Sequence, residues 1–294
     1  MLKIKKILCP VDFSDFSAKA YDYAQSLARH YGATLLLQHV IQPMTATYPY
    51  YAFPDMVNEA FWHLDSTAEK KLDEFLAEHQ AEGIQTERVV HNGMVTDCIL
   101  EFAKKEGADM IVMGTHGRQG FDRLTMGSVT EKVLRKAACP VLVVRKPAHN
   151  FVRPSDTNET VRLQKILLCT DFSDHSSRAF SYALSLAMEY NADLHILHVL
   201  EDMPAAENLQ AAIADCAARL EGLVSEDDRN WCKAHSAVRI GKPYQQILQM
   251  AVDLDADLVV MGVRGRNAVD LALFGSTTHR VIQIGSSPVL AVHT

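Results

Sequence analysis

The hydrophobic positions change period along the chain. Residues 7–11 form a short apolar run that ends on Asp12-Phe13-Ser14-Asp15. Phe16, Ala20, Tyr23, Ala24, Leu27, Ala28 and Tyr31 then recur at helical spacing, and Gly32 follows them as a C-cap. A second apolar run over 35–41 predicts a strand, and a long helical crossover over 55–82 leads to another strand over 86–91. Gly93 precedes a helix that runs to 106, followed by a strand over 110–113, a helix over 128–137 and a closing strand over 141–144. The strand runs are continuously apolar rather than alternating, as expected for parallel strands covered by helices on both faces. The pattern predicts a doubly wound α/β domain of about five strands.

It occurs twice. Residues 6–40 align without a gap to 165–199 with 19 of 35 positions identical, and 107–128 align to 255–276 with 10 of 22 identical. The offset between the copies is 159 at Asp12 and Asp171 but 148 at Gly114 and Gly262, so the first copy carries 11 extra residues between Val40 and Gly93. Residues 146–164, polar and holding two prolines, separate the copies. The expected organisation is a domain over 1–147, a linker over 148–163 and a second domain over 164–294. Each domain is expected to be a mostly parallel five-stranded sheet with helices on both faces. Ligands of such sheets bind beyond the carboxyl ends of the strands, where the winding direction switches. That rule singles out Asp12 and Asp171 after the first strands and the glycines after the fourth.

Composition narrows the function classes. The chain has 294 residues, 48% of them hydrophobic and 22% charged, as in globular proteins and unlike disordered or collagenous ones. A net charge of −7 removes the usual electrostatic drive toward nucleic acid or anionic lipid, so no nucleic-acid partner is expected. No apolar run approaches the roughly 18 residues of a membrane span, and the first one stops at Asp12, too short for a signal peptide. The expected location is the cytoplasm. Cys9, Cys98, Cys139, Cys169, Cys216 and Cys232 are scattered without a Cys-x2-Cys pair and read as small apolar residues in a reducing compartment. The histidines show no zinc-type spacing, so no metal site is expected, and His39 and His198 read as core or edge histidines of strands.

The chemistry concentrates in two glycine patterns. Gly114-Thr115-His116-Gly117 is followed after nine residues by Gly127-Ser128, and Gly262-Val263-Arg264-Gly265 after nine by Gly275-Ser276. Glycines at a strand end let the backbone approach a ligand closely, and the later Gly-Ser opens a helix whose N–H groups and dipole suit a phosphate. Readings without a ligand stay open. Ser128 with Glu131 has the spacing of a capping box, and Asp12 and Asp171 equally suit a strand-to-helix turn. In the second copy His279 stands for Glu131 and Arg264 for His116, so its site is expected to attract phosphate at least as strongly as the first.

The spacing G-x2-G-x9-G-[ST], the opening Val11-Asp12-Phe13-Ser14, the run MGTHGRQGFDRLTMGSVTE over 113–131 and the closing Cys139-Pro140-Val141-Leu142-Val143-Val144 resemble the ATP-binding branch of the universal stress protein family. The resemblance covers nearly the whole chain apart from the linker and the 11-residue insert. It implies an adenine nucleotide alpha hydrolase-like fold and ATP, ADP or AMP as ligand, with or without magnesium. By position, it implies that Asp12 and Asp171 meet the ribose and that Val40 and Val199 meet adenine through the backbone. It further implies that Gly114, Gly117, Gly127, Ser128 and Val129 line ribose and phosphates in the first copy, as Gly262, Gly265, Gly275, Ser276 and Thr277 do in the second. Pairing through the closing strands is also implied, 141–144 with 289–292 as a pseudo-twofold dimer within one chain, and a homodimer of chains stays open.

Catalytic motifs are missing from the sequence. There is no Walker A loop, no G-x-S-x-G elbow and no Cys/His pairing, and the turn after the first strand lacks the glycines of related adenylating loops, which carry a Ser-Gly-Gly-x-Asp-Ser type sequence. Without a positioned base, at most weak ATP hydrolysis is expected. The sequence therefore reads as a cytoplasmic ATP-binding stress-response protein whose occupancy biases conformation or partner choice. Two alternatives stay open: an interaction scaffold with vestigial sites, and a slow ATPase with a second, apolar ligand at the insert. That insert is rich in aromatics (Tyr48, Tyr50, Tyr51, Phe53, Phe61, Trp62) and reads either as such a pocket or as a loop packed over its own domain.

Overall fold

Buried apolar strands and amphipathic helices alternate through both copies of the computed structural model, which describes residues 2–42, 54–79, 83–116, 126–145, 151–152, 161–201, 206–263 and 275–293. The first copy runs β1 (Lys6–Pro10), α1 (Asp15–Tyr31), β2 (Thr34–Ile41), α2 (Pro54–His79), β3 (Thr86–Asn92), α3 (Val95–Glu106), β4 (Met110–Gly114), α4 (Ser128–Lys136) and β5 (Val141–Val144). The second runs β6 (Lys165–Cys169), α5 (Asp174–Tyr190), β7 (Asp193–Leu200), α6 (Ala206–Glu221), α7 (Glu226–Arg229), β8 (Ala234–Ile240), α8 (Pro243–Leu254), β9 (Leu258–Gly262), α9 (Ser276–Ile284) and β10 (Val289–Val292). The copies differ most in the crossover, one 26-residue helix in the first and two shorter helices in the second. Tyr48, Tyr50, Tyr51 and Phe53 of the insert, and the side chains of Phe61 and Trp62 on α2, lie outside the described residues.

Local signals set the helix ends. Ser14, in extended conformation, accepts from the Ser17 N–H, and Gly32 at φ 62° donates to the Ala28 and Arg29 carbonyls. The second copy repeats this with Ser173 and with Asn191 at φ 50°.

The two five-stranded sheets merge into one of ten strands, in the order β3-β2-β1-β4-β5-β10-β9-β6-β7-β8. Neighbours within a copy are parallel. The seam is antiparallel, Val143 opposite Val289, Leu142 opposite Leu290 and Val141 opposite Ala291, as the resemblance implied. Both apolar layers cross it: Leu142, Val144, Leu290 and Val292 belong to one, and Val141, Val143, Val289 and Ala291 to the other. Two otherwise exposed sheet edges are thereby covered.

Polar ties bracket the seam. After β5, Arg145 Nη1 donates to the carbonyls of Gln283 (2.6 Å) and Gly285 (3.2 Å) at the end of α9. At the corresponding place after β10, His293 Nε2 meets the Leu134 carbonyl near the end of α4 at 2.7 Å. Donors at helix C-termini satisfy carbonyls that the helix leaves open. The ends of α1 and α5 also meet, with His30 Nε2 2.8 Å and Tyr31 hydroxyl 3.2 Å from the Glu189 carboxylate. The segment between the copies is polar in composition, yet Phe151, Val152 and Leu163 are buried in the core and the Phe151 ring stands edge-on to Tyr23 at 4.8 Å. Its few apolar residues anchor it. Among the described residues, no helix is long and apolar enough to cross a membrane.

Candidate functional site

The strand order winds outward in opposite directions from β1 and β4, and from β6 and β9, so each copy has one switch point. Extending the β1–β2 register by two residues sets Asp12 beside Val40, and extending β1–β4 brings Val11 level with Gly114. Asp171, Val199 and Gly262 come together in the same way. Gly117 and Gly265 lie outside the described residues, as does Arg264.

The turn after the first strand is organised by its aspartate. Asp12 Oδ1 accepts from the Ser14 N–H (3.1 Å) and hydroxyl (2.6 Å), and Asp171 Oδ1 accepts from Ser173 at the same two distances. Between them Phe13 and Phe172 are held at φ 62° and 60°, a left-handed conformation that costs an aromatic residue about 1–3 kcal/mol. Ring packing and a histidine hold it in place. His39 Nδ1 lies 2.8 Å from the Val11 carbonyl and its ring 4.4 Å from Phe13; His198 repeats this at 2.8 Å from Thr170 and 4.5 Å from Phe172. Phe172 further carries the Arg219 guanidinium 3.9 Å above its ring, where Phe13 meets Phe75. Sequence reading placed the histidines in strands but missed this role and the strained phenylalanines. The repeated Asp-Phe-Ser-Asp was the signal.

The glycines have a structural task that sequence reading assigned to a ligand. A Cβ on Gly114 would stand 2.9 Å from the Phe16 carbonyl oxygen, and one on Gly262 2.9 Å from the His175 carbonyl carbon. Both glycines admit the first turn of the next-door helix, α1 or α5, against the strand end. Gly127 likewise packs on the Thr115 carbonyl, 3.1 Å from where its Cβ would be, and its own N–H donates to that oxygen at 2.9 Å. Gly275 donates to the Val263 carbonyl at 3.1 Å. A threonine in the first turn completes each junction: Thr130 Oγ1 donates to the Gly114 carbonyl at 2.9 Å and Thr278 Oγ1 to the Gly262 carbonyl at 3.0 Å. These threonines were also missed.

No capping box forms. The N-caps are Gly127 and Gly275, which have no side chain to offer, and Ser128 and Ser276 are the exposed first residues of α4 and α9. Glu131 pairs with Arg135 at 2.8 Å, one turn down the same helix, instead of reaching back to the start. The spacing was right but shifted by one residue, because the glycine turn takes the cap position. Each switch point is thus flanked by a helix N-terminus whose N–H groups at Ser128, Val129 and Thr130, or Ser276, Thr277 and Thr278, have no intrahelical acceptor and no cap side chain. Such a terminus, with its positive dipole end, accommodates an anion.

His116 follows the end of β4, its ring 5.3 Å from that of Phe16. It is buried, with Nδ1 3.0 Å from Thr115 Oγ1 and Nε2 without a partner among the described residues. Burial, and then the nearby Arg145 cation, hold its pKa below the usual imidazole range. With a folded pKa below the unfolded one, the unfolded chain binds more protons as pH drops. The stability contributed by neutral His116 is present above about pH 6.5 and is lost as pH falls through that value toward its folded pKa. Urea titrations at pH 5, 6 and 7 should show stability falling toward pH 5, with a shallower fall for His116→Gln; an equal slope in the variant would refute this assignment. All six cysteines are free, and burial pushes the thiols of Cys9 and Cys169 far up, so these two are unreactive.

Comparisons with known proteins agree with the duplication. The sequence model of the Universal stress protein family matches residues 3–145 and again 162–293. A universal stress protein of Mycolicibacterium smegmatis is 29% identical over 301 residues, covering 97% of this chain and 96% of its own length. One of Methanocaldococcus jannaschii is 36% identical over 148 residues, covering 49% of this chain and 83% of that protein. The crystal structure of a universal stress protein from Archaeoglobus fulgidus aligns with 98% of this chain and 96% of its own at a TM-score of 0.67 and 26% identity.

Proposed function

Because the chain belongs to the universal stress protein family, with two copies of its domain in tandem, we propose that it binds an adenine nucleotide in each copy and that occupancy biases its conformation or its choice of partner in a cytoplasmic stress response. The observation that carries this reading is that one constellation is built twice at the two switch points: an aspartate-organised strained turn on one side and a glycine-capped helix N-terminus on the other. Strain of this kind persists where the surroundings enforce it, and it clusters at ligand sites.

In this reading the phosphates of ATP, ADP or AMP lie against the first turn of α4 or α9, held by the N–H groups of Ser128 and Val129 or Ser276 and Thr277. Gly114, Gly117 and Gly127, like Gly262, Gly265 and Gly275, shape the loop around them. Asp12 and Asp171 meet the ribose, and the backbone at Val40 and Val199 meets adenine. Magnesium, where present, screens the phosphates. No side chain is assigned a catalytic part, and turnover is expected to be slow at most. Saturating ATP at about 100 times Kd should stabilise the folded chain by about 2.7 kcal/mol per occupied site, hence about 5.4 kcal/mol with both copies filled, read as a rise in melting temperature with and without magnesium. An unshifted melting temperature favours the scaffold with vestigial sites and overturns this proposal.

A further inference from the structure

We propose that the second copy carries a site for a zinc-type divalent transition-metal ion, formed by Asp193, His195 and His235 on the outer edge of the sheet. Linear spacing hid this group, since the histidines are 40 residues apart. Sheet register brings them together: His195 of β7 stands directly opposite His235 of the edge strand β8, and Asp193, two residues before His195, shares its face. One ligand atom from each of the three lies within 4.8 Å of the other two, and the imidazole rings stack with centroids 4.8 Å apart at 19°. Lys165, opposite Asp193 in register, turns its ammonium to the Leu254 carbonyl at 2.8 Å.

The donor set selects the ion. Two imidazole nitrogens and one carboxylate suit zinc, cobalt or nickel better than magnesium or calcium, and three protein ligands leave a fourth tetrahedral position for water. Bonds of about 2.0–2.1 Å place tetrahedral donors roughly 3.3 Å apart. Side-chain rotation of the exposed His235 supplies that closure. The duplicated copy provides an internal control: the same cross-strand pair there is Leu36 opposite Glu87, with Thr34 at the place of Asp193, and Leu36 is in the core. At the place of the buried Leu36, the second copy thus carries an imidazole with a second imidazole opposite it and a carboxylate two residues before it on the same face. The group sits at the amino ends of β7 and β8, opposite the end where Asp171 and Ser276 lie, so it is separate from the proposed nucleotide site. A bound ion would tie the edge strand to the sheet.

The test uses the full chain without nucleotide, washed with chelator and titrated with Zn2+ alone, beside His235→Gln and His195→Leu. The wild type should take up one Zn2+ per chain and melt at a higher temperature with the ion. His235→Gln should melt like the wild type without metal, bind at least about tenfold more weakly and show no metal-dependent shift. His195→Leu restores the residue of the first copy and should behave alike; should it not fold, the exposed His235→Gln alone decides. No Zn2+ uptake by the wild type, or a loss below about tenfold in His235→Gln, overturns the proposal. Tetrahedral Co2+ absorption seen in the wild type and missing from His235→Gln provides a second reading of the same ligands.

Discussion

Replacing Ser128 and Ser276 with proline is expected to weaken ATP binding about 10- to 100-fold at each site while leaving the chain folded. The fold tolerates the change because proline suits the first helical position, where its missing N–H is one that the helix leaves unpaired. The residue before a proline must be extended, and Gly127 (φ −61°, ψ 138°) and Gly275 (φ −56°, ψ 124°) already are. Stability should therefore change by less than about 1 kcal/mol. What is lost is one backbone donor to a phosphate, a hydrogen bond to a charged group of about 1.5–3 kcal/mol, and each 1.4 kcal/mol is tenfold in Kd. Calorimetric titration of the two single variants should each leave one binding event intact. Unchanged affinity in both would show that the phosphates do not lie at α4 and α9. Valine at Gly127 would be a poorer probe, since its Cβ falls 3.1 Å from the Thr115 carbonyl and confounds folding with binding.

The seam between the copies governs the second large effect. Leu142 and Leu290 face each other across β5 and β10 and are almost completely buried. Truncating either to alanine removes apolar contacts and leaves a cavity in a sheet whose layers run on into both copies, so each should cost about 2–5 kcal/mol in urea denaturation. Because the two side chains touch one another's surroundings, the double variant should depart from additivity by about 0.5–3 kcal/mol. A double variant that is additive within about 0.3 kcal/mol would mean that the copies do not pack through this pair.

Much of the frame was legible because periodicity and repetition report on the same thing. The strands at 110–113 and 141–144 are buried on both faces, so they read as unbroken apolar runs, and the recurrence of Asp12 as Asp171 marks the duplicated switch point in the sequence itself. The pairing of the closing strands came from the family resemblance, and its effect is to cover two sheet edges that would otherwise be exposed. What escaped was whatever depends on chain segments meeting from afar. Gly114 reads as a ligand glycine in sequence, yet what crowds it is the Phe16 carbonyl of the helix beside the strand. Thr130 looks like an ordinary helix residue until its hydroxyl is seen on the Gly114 carbonyl 16 positions back. Phe13 gives no hint of a left-handed backbone, because aromatic residues avoid it unless packing such as that of His39 enforces it. His195 and His235 are 40 residues apart and meet only through strand register.

Equilibrium titration of the nucleotide-free full chain with ATP tests the central claim most directly. Two bound nucleotides per wild-type chain, with one of the two bound about 10- to 100-fold more weakly in Ser128→Pro or in Ser276→Pro, are the result this account predicts. Titration with no measurable binding to the wild-type chain, or binding that stays at two in the Ser128→Pro, Ser276→Pro double variant with unchanged affinity, would contradict it.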